Sequence, residues 1–330
     1  MLAAPRSACN HQLEHHENPE MTDDNSNPPA PEQGQPSTGD LPEHEGSSPE
    51  PPLPPSINFK PEEPSPPPQF DSSVPEDLRA PWGWIDLGLF IVFGIVSSLV
   101  LAGVTIGIAV AFFGGRPADF IGRTANTSKA ALVIITQALW SGGALLYLFV
   151  MVRLRTSASF WRTIGWHRLR TGTSGWGATI LGYLGAGAVL AVLISVAGKF
   201  VGQPAELPIE RMFRTRMAVL LLMSFGVLLA PLVEETLFRG FLYPVVARRF
   251  GIPAGVIVTG VLFGAMHAEQ LWGGWGQIGL LVAVGIILTW VRARSGTVVA
   301  SYLMHLGYNT LLFVGFFAAT GGLKHIPGGP

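Results

Sequence analysis

From Trp82 onward the chain is a succession of apolar runs, and their length restricts both the solvent and the secondary structure it can adopt. A helix needs about 20 residues to cross a hydrocarbon core of roughly 30 Å. Seven candidate spans can be drawn, at 84–113, 130–152, 176–200, 217–249, 253–268, 276–293 and 297–319. Lipid offers the backbone no hydrogen-bond partner, so only helices and closed barrels cross it. The runs are continuous rather than alternating, which selects helices. The expected fold is therefore all-α, a polytopic membrane bundle of about seven transmembrane helices. Small residues, dense in Leu181-Gly182-Tyr183-Leu184-Gly185-Ala186-Gly187, suit close helix packing.

The overall formal charge of −1 hides two different polymers. Residues 1–80 hold 15 of the 22 acidic residues, 18 of the 27 prolines and only three basic residues, Arg6, Lys60 and Arg79. Residues 81–330 carry 18 Lys and Arg against 7 Asp and Glu. A single soluble domain is excluded, because only 13% of residues are charged where about a quarter is usual. The segment 1–80 has too little apolar surface to offset the entropy of ordering it, and a disordered, acidic, Pro-rich tail is expected there. Residues 81–330 are expected to form the transmembrane domain. Cys9 is the single cysteine, which rules out a disulfide framework.

Basic residues gather at span ends: Arg153, Arg155, Arg162, Arg168 and Arg170 after the second, Arg248 and Arg249 after the fourth, Arg292 and Arg294 after the sixth. With seven spans and a cytoplasmic N-terminus, all three clusters fall on the cytoplasmic side. Arg211, Arg214 and Arg216 would then lie outside. An integral, multi-pass protein of the plasma (inner) membrane is expected.

Ionisable groups inside hydrocarbon are costly and mark relays, ion paths or catalytic sites. Within 217–319 the buried candidates are Glu234, Glu235, Arg239, His267 and His305, with Asn309 as a neutral companion, while Glu269 lies just past a span end. The first three spans hold almost none beyond Asp86 near an edge. Glu235 and Arg239 are four apart and share a helix face, as do His305 and Asn309, and Phe263 and His267. Glu234 is rotated by about 100° from Glu235. Glu235 lies 16 residues before Gly251 and His267 lies 16 after it, so a helical hairpin at the Gly251–Pro253 break places them at similar depth. His305 enters from the other hairpin, about ten residues past its turn at 294–296, and four groups can converge. Pro231 fits a helix opened locally to water, or a tolerated kink.

These residues carry a family resemblance. Pro231-Leu-Val-Glu234-Glu235-Thr-Leu-Phe-Arg239-Gly240 resembles the E-E-x-x-x-R signature of the CAAX prenyl protease and bacteriocin-processing (CPBP, or Abi) family. Phe263-Gly-Ala-Met-His267 resembles its F-x-x-x-H motif, and His305-Leu-Gly-Tyr-Asn309 its H-x-x-x-N motif. The resemblance covers about residues 216–315 and implies an intramembrane endopeptidase similar to the Ras-converting enzyme, which removes the last three residues of a prenylated C-terminus. It further implies that Glu234 and His267 activate water, that His305 and Asn309 stabilise the oxyanion, and that Glu235 and Arg239 orient the site. A buried carboxylate can serve as general base near neutral pH, and imidazole and amide N–H groups can donate to developing negative charge.

No cofactor is expected. Zinc is the alternative that the same residues allow, with Glu234, His267 and His305 as a three-ligand set, although H-E-x-x-H is absent and the ligands would come from three separate helices. The expected partners are the lipid bilayer and a membrane-associated protein or peptide substrate, lipidated ones included; no nucleic acid is expected. The competing reading is a non-catalytic membrane scaffold or immunity-type factor, which has no need of buried ionisable groups. A transporter would show inverted repeats or paired broken helices, and no internal repeat is visible.

Overall fold

A computed structural model describes residues 75–114, 127–173, 175–202, 207 and 215–326. The expectation of disorder for the N-terminal tail falls, up to residue 74, outside the described residues, as do Cys9, Arg211 and Arg214. Among the described residues the chain is helical and contains no strand. The helices are α1 (Trp84–Phe113), α2 (Thr127–Arg155), the short α3 (Phe160–Thr163), α4 (Gly175–Gly198), α5 (Arg216–Phe250), α6 (Ile252–Met266), α7 (Trp275–Ser295) and α8 (Val298–Ala319).

Six of these are long and apolar enough to cross a membrane, which bears out the membrane-bundle expectation. The fifth expected span differs. α6 has 15 residues, about 22 Å of helix at 1.5 Å per residue, too short to cross alone. Gly251, at positive φ, and Pro253 set its start, and the helix stops at His267. α6 is instead held against α7 and the end of α5.

Lipid tails are as apolar as the side chains, so helix association here depends on close packing rather than on a hydrophobic drive. α4 lies along α8, and two glycines allow it: a Cβ on Gly187 would collide with the Met304 carbonyl, and one on Gly307 with the Leu184 carbonyl. Of the small residues in 182–187, Gly182 and Gly185 have open space around them, so Gly187 is the glycine of that stretch that the packing uses. α6 meets α7 in the same manner, since a Cβ on Gly285 would sit 2.7 Å from the Gly260 carbonyl. α1 packs on α2 and leaves Ile95, Leu99 and Phe112 exposed, as a lipid-facing surface requires.

The end of the bundle that carries Arg248 and Arg292 is closed by two segments. The first is the stretch before α1. Residues Glu76–Leu78 form a turn of 3₁₀-helix, and Leu78, Ala80 and Trp82 are buried. Leu78 packs with Tyr243, Ala247 and Val256. The Trp82 indole donates to the Phe241 carbonyl at 3.0 Å, and Arg248 donates to the carbonyls of Ala80 and Trp82. Arg292 donates to the Asp77 carboxylate at 2.9 Å and to its carbonyl at 3.0 Å. The last residues of the acidic segment are thus part of the folded body, and the arginines that read as topology signals hold them there. Composition hides this because a few apolar residues among prolines carry the docking.

The second segment follows α2. It turns back into the bundle, burying Phe160 and Ile164. The Val298 N–H donates to the Gly165 carbonyl at 2.9 Å, which fixes the start of α8. Trp166 packs at a tilt against Tyr302 with ring centroids 5.2 Å apart and donates its indole N–H to Thr236 at 3.1 Å.

The glycine contacts give a direct test. Overpacking a close contact costs about 1–3 kcal/mol, so Gly307→Ala is expected to lower the melting temperature of the detergent-solubilised protein. Gly315→Ala, on the same helix with open space around it, is expected to leave it unchanged. Equal melting of the two variants would contradict the packing described.

Candidate active site

The acidic pair lies in α5, whose winding is irregular on both sides of it. Pro231 has no N–H to donate within the helix, and the turn before it, Phe225–Leu229, is wound as a π-helix, with the Ala230 N–H bonded five residues back to the Phe225 carbonyl. A second π segment, Thr236–Leu242, follows Glu235. Such bulges insert a residue and turn the helix face locally. Between them, Ala230–Glu235 is regular α-helix, so Glu234 and Glu235 point in directions about 100° apart. The Glu235 side chain is fully buried, while that of Glu234 is 24% exposed. One carboxylate is sealed and its neighbour is open.

The sealed carboxylate pairs with Arg239, itself fully buried, at 2.9 Å. A buried ion pair is favourable only when its other groups are also satisfied. Arg239 Nη2 donates to the Gly285 carbonyl at 2.9 Å and Nε to the Thr289 hydroxyl at 3.1 Å. Its guanidinium carbon also lies 4.5 Å over the Phe263 ring, a favourable cation–π placement.

His305, on α8, stands between the two glutamates. Its Nδ1 is 2.9 Å from Glu235 Oε1 and its Nε2 is 3.8 Å from Glu234 Oε2. A carboxylate paired with a guanidinium accepts only, so His305 Nδ1 carries the proton of that bond. His267 caps α6. Its Nδ1 is 2.8 Å from the Phe263 carbonyl, which likewise only accepts, so Nδ1 is the protonated nitrogen and Nε2 keeps its lone pair in the neutral ring. Phe263 is the hub of the arrangement: its ring centroid lies 5.0 Å from that of His267 and 5.8 Å from that of His305.

The structure thus brings Glu234, Glu235, Arg239 and His305 into one connected cluster, with His267 joined to it through Phe263. Among the described residues, no ion pair links His267 to either glutamate. Among the described residues, no hydrogen bond links Asn309 to either carboxylate. One turn beyond His305, it donates to the Gly226 carbonyl at 2.8 Å, inside the first π segment of α5. The set Glu234, His267 and His305 does not fit a zinc ion as it stands, because among the described residues no three His, Cys, Asp or Glu side chains gather around a common point.

Three contributors carry no motif. Thr289 and the Gly285 carbonyl, both on α7, hold Arg239. Thr236, which takes the Trp166 hydrogen bond, returns its own proton to the Leu232 carbonyl at 2.7 Å. A lone Thr four residues after a Gly in an apolar span is the faint signal that marked Thr289. A backbone carbonyl leaves none.

Comparison with known proteins agrees with the motifs. Residues 216–311 match the family described as Type II CAAX prenyl endopeptidase Rce1-like, which supports the family read from the three motifs. A relative from Escherichia coli, named "Uncharacterized 24.3 kDa protein", is 33% identical over 132 residues, covering 39% of this chain and 60% of the relative. The chain therefore spans about 60% of the length of the curated relative it matches. No solved structure matches.

Breaking one side of a buried ion pair costs about 3–5 kcal/mol because the remaining charge is uncompensated. Glu235→Gln is expected to lower the melting temperature in detergent clearly. Glu234→Gln, at the open carboxylate, is expected to melt close to wild type. The reverse order would show that the sealed and open roles are misassigned.

Proposed function

We propose that this chain is an intramembrane endopeptidase of the CAAX prenyl protease type, hydrolysing a peptide bond with water activated by Glu234 and His267. The observation that carries the reading is the open Glu234 carboxylate, 3.8 Å from a histidine that is itself held by a buried Glu–Arg pair. A scaffold has no need of an open carboxylate beside a held imidazole, and the Rce1-like match over residues 216–311 supports the same reading.

In the proposed reaction a water molecule gives its proton to Glu234, assisted by the free Nε2 of His267, as its oxygen attacks the scissile carbonyl carbon. The carbonyl oxygen becomes an oxyanion. His305, when protonated on both nitrogens, donates to it from Nε2, and Asn309 from the amide N–H not used on Gly226. Collapse breaks the carbon–nitrogen bond, and the proton held by Glu234 passes to the leaving amine. Glu235 stays paired with Arg239 throughout and holds His305 by its Nδ1. No metal takes part in this scheme. The substrate is a membrane-associated protein or peptide, lipidated ones included, and the basic end of the bundle faces the cytoplasm of a plasma membrane.

Glu234→Ala and His267→Ala are each expected to lower cleavage of a farnesylated C-a-a-X peptide by about 10²-fold or more, with unchanged elution of the purified protein in detergent. A chelator is expected to leave the wild-type rate intact. Comparing membrane-protein C-termini in cells carrying wild type or Glu234→Ala identifies the substrates. Full cellular activity in both alanine variants would favour the scaffold reading.

A further inference from the structure

Arg239 spends three N–H groups on three partners: Nη1 on Glu235, Nη2 on the Gly285 carbonyl and Nε on Thr289 Oγ1. The Thr289 hydroxyl donates to the same Gly285 carbonyl at 2.7 Å. A hydroxyl has a single proton. With that proton committed to the carbonyl, Oγ1 faces Arg239 Nε as an acceptor, and the two bonds are mutually consistent. Thr289, Arg239 and Glu235 are all fully buried, so no bulk water stands ready to replace a lost partner. α7 supplies no motif residue, yet it provides two of the three anchors of the guanidinium.

A guanidinium is a rigid planar fork. Held at Nε and Nη2 by α7, it cannot turn in its own plane, and the place of Nη1 follows. Nη1 sets Glu235 Oε1, and that one oxygen also accepts from His305 Nδ1 at 2.9 Å. The imidazole is rigid too, so its far nitrogen, 3.8 Å from Glu234, is aimed from the other side of the ring. A continuous path of fixed geometry thus runs from Thr289 through Arg239, Glu235 and His305 to Glu234.

We propose that Thr289 is a positioning residue for this centre: its hydroxyl, oriented by the Gly285 carbonyl, locks the rotation of Arg239 and so sets the direction in which His305 Nε2 faces Glu234. The proposal rests on the peptidase reading for its effect on rate. Without the hydroxyl, a charged N–H is left without an acceptor in a dry site, which is costly. The fork turns to relieve it and carries Glu235 and His305 along.

The test uses the full chain in detergent micelles, with an internally quenched peptide ending in a farnesylated C-a-a-X sequence as probe. Thr289→Val removes the hydroxyl at nearly constant shape, and Thr289→Ser keeps it. A displacement of about 1 Å at a reacting centre can cost on the order of 10²-fold in rate, so kcat is expected to fall about tenfold or more in Thr289→Val. KM should stay within about twofold, since a purely orienting contact acts on the chemical step. Thr289→Ser should keep near wild-type kcat. A second readout needs no activity: the His305 Nδ1 proton, followed by nitrogen-resolved NMR, should hold its position in wild type and Thr289→Ser and move or vanish in Thr289→Val. Should Thr289→Val fail to fold, Thr289→Ala carries the same comparison.

Wild-type kcat in Thr289→Val overturns the proposal. So does a Thr289→Ser variant as slow as Thr289→Val, a loss confined to KM, or a slow enzyme whose His305 signal has not moved. If the wild type leaves the peptide intact, the peptidase reading fails on its own, and the His305 signal still decides whether Thr289 positions the ring.

Discussion

A guanidinium and a carboxylate, both out of reach of water in a lipid-solvated bundle, set the terms for everything around them. Arg239 and Glu235 are fully buried and 2.9 Å apart. Their mutual attraction does not by itself repay the loss of hydration; Arg239 finds further acceptors on α7, whereas Glu235 Oε2 has no hydrogen-bond partner among the described residues. The search for partners shapes the neighbouring helices. Gly285 offers Arg239 its carbonyl. A side chain on Gly285 would meet both the Gly260 carbonyl and the Phe263 ring. The missing Cβ therefore lets α6 approach α7, and that approach seats Phe263 over the guanidinium. Packing by small residues and satisfaction of a buried charge are one requirement at this point.

The pair also divides labour between two adjacent carboxylates. Glu235 is fixed by Arg239 and His305, so its charge is part of the framework. Glu234, on the next residue, is turned toward the open side and has no such cation on its own helix face. In the proposed reaction, one group must keep its charge and the other must take up and release a proton. Consecutive residues on a helix deliver that contrast without any special loop, because a single residue step turns the side chain from sealed to open.

Much of this was legible in the chain itself. The Glu235–Arg239 pairing follows from a four-residue interval, and the approach of His305 from the hairpin that joins α7 to α8. Phe263 and His267 share a face as their spacing demands. Other features left weaker marks. The π segments that flank Ala230–Glu235 alter the register by a residue each, and Pro231 hints at the first alone. The Gly285 carbonyl has no side-chain signature. Asn309 shares the face of His305 yet bonds to Gly226, a backbone group that the first π segment makes available. The docking of Leu78 and Trp82 was hidden by the acidic, Pro-rich composition around them, since buried anchors can be sparse in an otherwise polar stretch.

Depth adds a last constraint on any substrate. His305 lies seven residues after the start of α8 at Val298, so the cluster sits about 10 Å along that helix from the end that carries Arg248 and Arg292. The 35 residues of α5 make about 52 Å of helix, more than a bilayer of roughly 30 Å requires. Its last turns, around Tyr243–Ala247, are buried beneath α6 and the segment that docks Leu78. The shallow flank of the cluster is thus walled by protein at the basic end, while the Glu234 side remains partly open. An extended peptide covers about 10 Å with three residues. A chain end admitted at the open Glu234 side, not through the walled basic end, would bury only a few peptide groups at that depth, so the cost of stripping water from its backbone stays small compared with that of a strand drawn across the whole membrane.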